Sequence, residues 1–215
     1  MRPQAISPPR YTPDEMRALA CYFERHTGDP NSDIGQWVRQ YLPGKGHIGN
    51  FHLLTRMSEG IHRDFQYRRR EARGIQQPME TLRLGHGSCR DFALLLIEAA
   101  RSLGFAARFA SGYLAVPLDD WHQPTSSSPR GATHAWAQIY LPGADWVSFD
   151  PTCGSVGNAG VVTVAVARDP SHATPLHGTF IGFASDHISM DVLVRVTPDR
   201  PEAIWVAAKN PRWCN

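Results

Sequence analysis

The feature that most constrains the fold is an apolar stretch in the middle of the chain, DFALLLIEAARSL at residues 91–103. Its apolar residues recur at helical spacing and form one broad stripe, which predicts an amphipathic helix. The flanks of this stripe are nearly as apolar as its centre. We therefore expect a buried central helix, and Gly104, which follows directly, is a natural residue to end it.

Helical patterns also dominate the chain before this stretch. Thr12 as N-cap, Pro13 at the first helical position and Glu15 at the third predict the start of a first helix. A short helix is predicted around residues 34–41, and another is predicted to begin at the cap Asn50. The apolar residues of that third helix share one face: Leu53, Leu54, Met57, Ile61 and Phe65.

After the central helix the pattern changes to short segments rich in β-branched and aromatic residues, which predict strands. They occupy residues 106–116, 134–141, 146–151, 161–167, 187–196 and 203–208. Helices first and an antiparallel sheet second predict an α+β fold. A chain of 215 residues suits one domain. We therefore predict a single domain over 1–215, helical over about 12–104 and β-sheet over about 106–208.

Charge and hydropathy disfavour several classes of partner. The net charge is +2 and the only basic run is Arg68–Arg70, which fits a solvated helix end better than a nucleic-acid site. No apolar run reaches the length of a membrane span, and the N-terminus lacks the apolar core of a secretory signal. The expectations are therefore no nucleic acid, no membrane and a cytoplasmic location. The pattern gives no oligomeric state.

The four cysteines, Cys21, Cys89, Cys153 and Cys214, could form two disulfides. Without a secretory signal and without paired spacing, we expect free thiols instead. Zinc is disfavoured, because His86 and Cys89 form one H-x-x-C pair and no second pair lies at ligand spacing. No metal and no cofactor is therefore predicted.

Cys89 stands in GHGSCRDF, where a glycine-containing loop enters the central helix. The unpaired N–H groups and the positive dipole end of a helix N-terminus stabilise a thiolate. Gly85 and Gly87 would let the backbone turn sharply and leave the sulfur approachable. The alternative is a small buried core residue, which is the commonest role of a lone cysteine.

His134 and Asp150 lie on two neighbouring predicted strands. Alternation places each on a fixed face, and the two faces coincide if the hairpin loop has an odd number of residues. In one such register Trp136 lies opposite Asp150, and His134 is then the diagonal neighbour of Asp150. Diagonal partners are roughly 7–8 Å apart at Cα, a gap that two facing side chains can close.

Taken singly, His134 could be a core histidine and Asp150 a turn residue before proline. Together with Cys89 they form a thiol, imidazole and carboxylate set. Asp150 would orient the imidazole, and the other imidazole nitrogen would take the thiol proton and later deliver it to a leaving amine. The set predicts a cysteine nucleophile.

Four motifs, GxCRDFAxLL, RxLGFAARFASGYL, HAWAQIYLPG and WVSFDPT, resemble the successive core motifs of bacterial transglutaminase-like proteins. The resemblance runs from about Tyr67 to Asp150. It implies a papain-like α+β core with the nucleophile helix packed on an antiparallel sheet, and catalytic residues at Cys89, His134 and Asp150. The calcium sites of eukaryotic transglutaminases have no visible counterpart.

An oxyanion hole would use the Cys89 N–H and one side-chain donor, for which Tyr67 is the candidate; a packing aromatic is the alternative. Trp136 is expected to shield the His–Asp hydrogen bond from water. The polar loop over residues 117–130 is expected to line the cleft.

Three functions fit this set of residues. The first is hydrolysis of peptide or isopeptide amides, with a protein or peptide as substrate. The second is transamidation of protein glutamine, and the third is a non-catalytic binding module of the same fold.

Overall fold

The computed structural model describes residues 9–26, 28–44, 46–69, 74–114, 132–158, 160–174 and 181–183. Within these residues the helices are α1 Pro13–Ala18, α2 Ala20–Phe23, α3 Asp33–Arg39, α4 Asn50–Asp64, α5 Pro78–Leu84 and α6 Cys89–Ser102. The strands are β1 Gln66–Tyr67, β2 His86–Gly87, β3 Ala107–Leu114, β4 Ala132–Leu141, β5 Asp145–Asp150, β6 Ser155–Val156 and β7 Val161–Ala167. A 3₁₀ turn over Pro170–Ala173 follows β7.

The first predicted helix begins as expected but does not continue. Glu15 N donates to Thr12 Oγ1 (3.2 Å) and Thr12 N donates to Glu15 Oε2 (2.6 Å), so the predicted cap is confirmed. The helix then breaks at Leu19, whose φ of −100° and ψ of 3° leave the helical region. Leu19 is buried while Met16 is 49% exposed, so α1 presents no continuous apolar face to the core. Burying Leu19 turns the chain and separates α1 from α2.

The next helices follow the apolar pattern more closely. α3 lies within one residue of its predicted start, and α4 begins at Asn50 with Gly49 as its N-cap. Four of the five predicted apolar positions on α4 are fully buried, and the fifth, Phe65, ends the helix. The seven-residue helix α5 was not predicted, since its sequence PMETLRL is too short to show a period.

α6 is the central helix, as predicted. It begins at Cys89, two residues before the predicted start, and every residue from Asp91 to Arg101 is buried. Its apolar side chains join those of α3, α4 and the sheet in one core cluster.

Within the described ranges the sheet has five strands in the order β6-β5-β4-β3-β7, and each neighbouring pair is antiparallel. The predicted strands near 106–116, 134–141, 146–151 and 161–167 are all present. The strands predicted at 187–196 and 203–208 lie outside the described residues. A separate two-stranded parallel sheet joins β1 to β2. The predicted α+β class is confirmed.

The ladder between β3 and β7 is interrupted by a bulge between Ser111 and Gly112. A Cβ at Gly112 would lie 1.9 Å from the carbonyl oxygen of Val162, so this position admits only glycine. On its other side Gly112 pairs with His134 of β4. The bulge therefore lies beside β4, the strand that carries His134.

A buried ion pair anchors the far end of α6. The Arg101 and Glu98 side chains are both fully buried, and Arg101 Nη1 lies 3.0 Å from Glu98 Oε1. The Arg101 guanidinium also donates to the carbonyl oxygens of Tyr22, Ala107 and Arg168. Three separate segments are thereby tied to one helix, which fixes the axis on which Cys89 sits at the opposite end.

The described helices are all shorter than the roughly 20 residues of a membrane-spanning helix. α4, with 15 residues, is the longest of them. None of the described helices combines the length and apolar character that crossing a bilayer requires.

Candidate active site

Cys89 occupies the first position of α6, and its side chain is half-buried against the core. Gly85 ends α5 in the left-handed conformation, with φ at +64°, so its predicted role in the turn is confirmed. Gly87 acts differently from the prediction. It lies in β2, and a Cβ there would come within 2.9 Å of the Asp91 Cβ. Gly87 is therefore needed for close approach to α6, not for a sharp turn.

A buried carboxylate holds the loop that delivers Cys89. Asp91 accepts hydrogen bonds from Ser88 N and Ser88 Oγ, both at 2.8 Å, and from Gln76 N at 2.7 Å. Gln76 in turn donates from Nε2 to the His86 carbonyl at 3.0 Å. Sequence reasoning missed Ser88 and Gln76. The S-x-x-D spacing of Ser88 and Asp91 is a helix-start signal that could have identified the first; no local pattern marks Gln76.

The β4–β5 hairpin has the predicted register. The turn between the two strands contains three residues, 142–144, which is an odd number. The ladder pairs Ala137 with Phe149, so the next step outward sets Trp136 opposite Asp150. His134 Nε2 lies 2.6 Å from Asp150 Oδ2, a hydrogen bond between two buried side chains.

The second oxygen of Asp150 is held by the backbone that follows it. Asp150 Oδ1 accepts from Thr152 N (2.9 Å) and from Cys153 N (3.3 Å). The carbonyl of Thr152 bonds to His62 Nδ1 at 2.8 Å, which connects this turn to α4. Both carboxylate oxygens are thus engaged, and the plane of the carboxylate is fixed. Sequence reasoning did not identify His62, because the contact spans 90 residues.

The imidazole of His134 has a strongly perturbed pKa. Burial would lower the pKa, but hydrogen bonds to Asp150 and Cys89, together with their negative charges, raise it from 6.5 to about 10. His134 is therefore a cation at neutral pH. Because Nε2 is bound to Asp150, Nδ1 is the nitrogen left to face Cys89. The structure brings all three predicted residues together.

Trp136 lies two residues from His134 on the same face of β4 and is fully buried. Its ring stacks on the imidazole, with centroids 5.9 Å apart and an interplanar angle of 25°. One face of the imidazole is therefore covered by an aromatic ring, the position that a water-excluding residue requires.

Tyr67 lies in β1 and pairs with Gly87, two residues before Cys89. It is 45% exposed. Burial of part of the ring and the charge of Cys89 raise the pKa of Tyr67, against the lowering effect of Arg69 and Arg90. The hydroxyl therefore stays protonated and remains a donor at neutral pH.

The cysteine expectation is correct for two residues and wrong for a third. Cys21 and Cys89 are free thiols. Cys153 is disulfide-bonded, and its spacing in the sequence could not show this because disulfide partners are neighbours in space only. Cys214 lies outside the described residues.

Cys153 also bears on metal binding. His134, Asp150 and Cys153 place one potential ligand atom each within 4.8 Å of one another. A disulfide sulfur offers no thiolate, and His134 Nε2 and Asp150 Oδ2 are hydrogen-bonded to each other. This cluster is therefore a hydrogen-bonded pair beside a disulfide, not a ligand set.

The comparison with known families agrees with this arrangement. Residues 35–151, which include all of α4 to β5, match the core of the transglutaminase-like superfamily. The chain belongs to this superfamily. The matched range contains Cys89, His134 and Asp150. The predicted resemblance is confirmed.

Related proteins are known from mycobacteria. An uncharacterized protein of Mycobacterium tuberculosis is 32% identical over 200 residues, which cover 87% of this chain and 60% of that protein. An uncharacterized protein of Mycobacterium leprae is 32% identical over 203 residues, covering 90% of this chain and 60% of its own. The present chain thus spans about 60% of the length of these curated relatives.

Among solved structures, a proposed cysteine protease from Cytophaga hutchinsonii superposes with a TM-score of 0.56. It is 21% identical and the match covers 73% of this chain and 49% of the other. At this identity the likeness concerns the fold alone. It agrees with a papain-like, transglutaminase-like core of helices and antiparallel sheet.

Proposed function

We propose that this chain is a cysteine-dependent acyl-transfer enzyme that hydrolyses peptide or isopeptide amides through Cys89, His134 and Asp150. One observation carries the proposal: a half-buried thiol at the start of α6 contacts an imidazole whose other nitrogen is bound to a carboxylate at 2.6 Å. This is the arrangement of nucleophile, base and orienting group that acyl transfer requires.

The acylation step follows from the charges. A cationic imidazole beside the sulfur favours the thiolate, which is the nucleophilic form. The Cys89 sulfur attacks the amide carbonyl carbon and an S–C bond forms. When the C–N bond breaks, His134 Nδ1 gives its proton to the departing amine. The products of this step are a thioester on Cys89 and a free amine.

In deacylation His134 acts first as a base, not as an acid. Neutral His134 takes a proton from water, the water oxygen attacks the thioester carbonyl, and the C–S bond breaks to release a carboxylic acid. Asp150 holds the imidazole in one orientation through both steps, since its second oxygen is fixed by Thr152 N and Cys153 N. If a lysine or polyamine replaced water, the same residues would perform transamidation.

The oxyanion formed in both steps needs two donors. The Cys89 N–H is one of the N-terminal amides that have no acceptor within the helix. The Tyr67 hydroxyl is the second, because β1 holds it beside the loop that leads into Cys89. Trp136 keeps water from the His134–Asp150 hydrogen bond.

The role of Tyr67 predicts the effect of Tyr67→Phe. This variant removes one hydroxyl from a 45% exposed ring and should leave the fold intact. Loss of one oxyanion donor is expected to lower kcat about 10²-fold with little change in KM. Steady-state kinetics on a single amide substrate measure this. A matched control is Tyr113→Phe on β3. An equal kcat for Tyr67→Phe and wild type would assign Tyr67 to packing.

The proposed thiol activation is tested by alkylation. At pH 6–7 iodoacetamide is expected to label Cys89 at least about tenfold faster than the exposed free thiol Cys21, because the imidazolium favours the thiolate. Peptide mass spectrometry after timed quenching gives both rates in one sample. In His134→Ala the advantage of Cys89 should disappear. Equal rates in the wild-type protein would contradict the proposal and favour a non-catalytic binding module.

Hydrolysis and transamidation are separated by their products. A glutamine-containing peptide is incubated with the enzyme and a labelled primary amine, and both released acid and incorporated label are measured. Hydrolysis predicts acid without label. Stable incorporation of the amine would instead identify a transglutaminase.

The substrate class we propose is a protein or peptide, and no nucleic acid or membrane is needed. The cytoplasmic location stays a prediction, and the disulfide at Cys153 is a feature that reducing compartments disfavour. The chain spans about 60% of the length of its relatives. We propose the same substrate class for a longer protein that contains this chain.

A further inference from the structure

A short strand, β1, runs beside the loop that leads into Cys89, and no strand among the described residues pairs with its other edge. β1 and β2 form a sheet of two strands among the described residues, with Gln66 N bonded to the Gly85 carbonyl (2.9 Å) and Arg68 N bonded to the Gly87 carbonyl (2.8 Å). In a parallel ladder alternate residues turn toward the partner strand. The N–H and C=O of Tyr67, between these two, therefore face away from β2.

The side chains of this strand divide between its two faces. Arg68 bonds through its guanidinium to Gln66 Oε1 (2.8 Å), as residues two apart on one face do. By the same alternation Tyr67 lies on the opposite face, and Arg69, which follows the strand, continues that side of the chain. Tyr67 pairs with Gly87, two residues before Cys89, and the charge of Cys89 acts on the Tyr67 hydroxyl, so Tyr67 lies close to the thiol. The charge of Arg69 also acts on Tyr67, so the Arg69 guanidinium lies near the Tyr67 side chain.

Among the described residues, two cationic side chains act on Tyr67 at this face of β1. Arg69 is exposed, and no hydrogen bond or ion pair engages its guanidinium within the described part of the chain. Arg90, the residue after Cys89, adds a second positive charge near Tyr67. The carboxylate of Asp91, whose charge also acts on Tyr67, is fully buried and accepts from Ser88 and Gln76. It does not offer its charge to solvent.

We propose that the acyl-donor segment of the substrate binds as an extra strand on the open edge of β1, and that Arg69 binds an acidic side chain of that segment. The inference rests on the proposed function, since it assigns the substrate to that same site. Strand addition supplies affinity through the Tyr67 backbone, and an arginine fork matches a carboxylate bidentately.

The occupant is a peptide because an extended backbone carries an N–H donor and a C=O acceptor side by side, the pair that the C=O and N–H of Tyr67 require. It is acidic because the exposed Arg69 guanidinium loses water when a peptide covers this edge, and an opposite charge then compensates it. A basic or neutral segment would leave Arg69 without compensation when the edge is covered. Arg69 is accordingly a specificity-determining residue for the proposed reaction.

Binding is measured on the Cys89→Ala protein, so that the result does not depend on turnover. The probe is a short fluorescent peptide with a central glutamine and flanking glutamates, compared with the same peptide carrying glutamines in place of glutamates. The acidic peptide should bind about three- to tenfold more tightly by fluorescence anisotropy. Adding Arg69→Ala should abolish this preference.

Arg68→Ala is the matched control. It removes the same charge one residue away, on the face turned from Cys89, and should keep most of the preference. Equal losses in the two variants would show a nonspecific effect of net charge and overturn the assignment of Arg69. Equal binding of the acidic and neutral peptides by the Cys89→Ala protein would overturn the inference as well.

Strand addition has its own test. N-methylation of the single peptide amide that pairs with Tyr67 should remove binding, while N-methylation of the neighbouring amide, which faces outward, should not. A scan of N-methyl positions that shows no alternation would refute the strand geometry. Failure of the proposed function would appear separately, as a Cys89 alkylated no faster than Cys21.

Discussion

Replacement of Cys89 by alanine is expected to abolish turnover, with a fall in kcat on the order of 10⁶-fold. The thiolate is the atom that attacks the carbonyl, and His134 and Asp150 have no other nucleophile to activate. Residual activity would come from binding and the oxyanion donors alone. The measurement is single-turnover kinetics on an amide peptide at high enzyme concentration.

The same substitution should leave the fold almost unchanged. Cys89 is half-buried at the first position of α6, and alanine keeps its Cβ there. The free energy of unfolding should change by less than about 1 kcal/mol, as measured by urea denaturation. Cys21→Ala, at an exposed free thiol, is the matched control and should keep full activity. Turnover that survives in Cys89→Ala would assign the nucleophile to another residue.

Asp150→Asn is expected to lower kcat by about 10³- to 10⁴-fold while the protein stays folded. Asparagine keeps the size of the side chain and can still accept from Thr152 N and Cys153 N. It no longer offers a negative charge to His134, so neither the orientation nor the charged state of the imidazole is supported. The expected kinetic signature is a loss in kcat that exceeds any change in KM.

The pH dependence of activity gives a second readout. In the wild type the imidazolium persists until the pH approaches about 10, because its contacts with Asp150 and Cys89 outweigh the effect of burial on the pKa. The alkaline limb of the activity profile should therefore lie near that pH. In Asp150→Asn the pKa of His134 falls, and this limb should move to lower pH.

The free energy of unfolding should also decrease as the pH rises. A histidine whose pKa is higher in the folded state binds its proton more tightly there, so it stabilises the fold at low pH. This contribution is complete below pH 6.5 and is lost as the pH rises from 6.5 to about 10. Urea denaturation across this range should show a smaller loss of stability in Asp150→Asn than in the wild type.

Asp169→Asn is the control for both readouts. Asp169 also accepts from a following backbone amide, that of Ser171 at 2.9 Å, and also contacts a histidine, with its Oδ2 3.5 Å from His26 Nδ1. It lies outside the proposed active site. An unchanged pH profile in Asp150→Asn, or an equal change in Asp169→Asn, would contradict the role given to Asp150.

Local sequence patterns predict much of the fold. The apolar stripe of α6, the cap at Thr12 and the alternation in β4 and β5 are short-range features, and each predicted its element correctly. α5 is too short to show a period, and Leu19 breaks the first helix because tertiary burial outweighed local propensity. Local sequence therefore indicates long elements well, and short or strained ones poorly.

The hairpin register is the strongest case of sequence-determined geometry in the site. Alternation and an odd turn of three residues were enough to place His134 diagonal to Asp150, and the hydrogen bond follows from that register. Cys89 was predictable because a helix start can be recognised from glycines and an apolar run. The three residues carry the proposed chemistry, and their types and positions are given by the sequence alone.

Tertiary structure alone decided how these residues are held. Gln76 and Ser88 bind Asp91, His62 binds the turn after Asp150, and Cys153 lies in a disulfide beside that turn. The contacts of Gln76 and His62 join residues 15 and 90 positions apart. Sequence periodicity reports which face a residue occupies, and it contains no information on which distant segment will pack against that face.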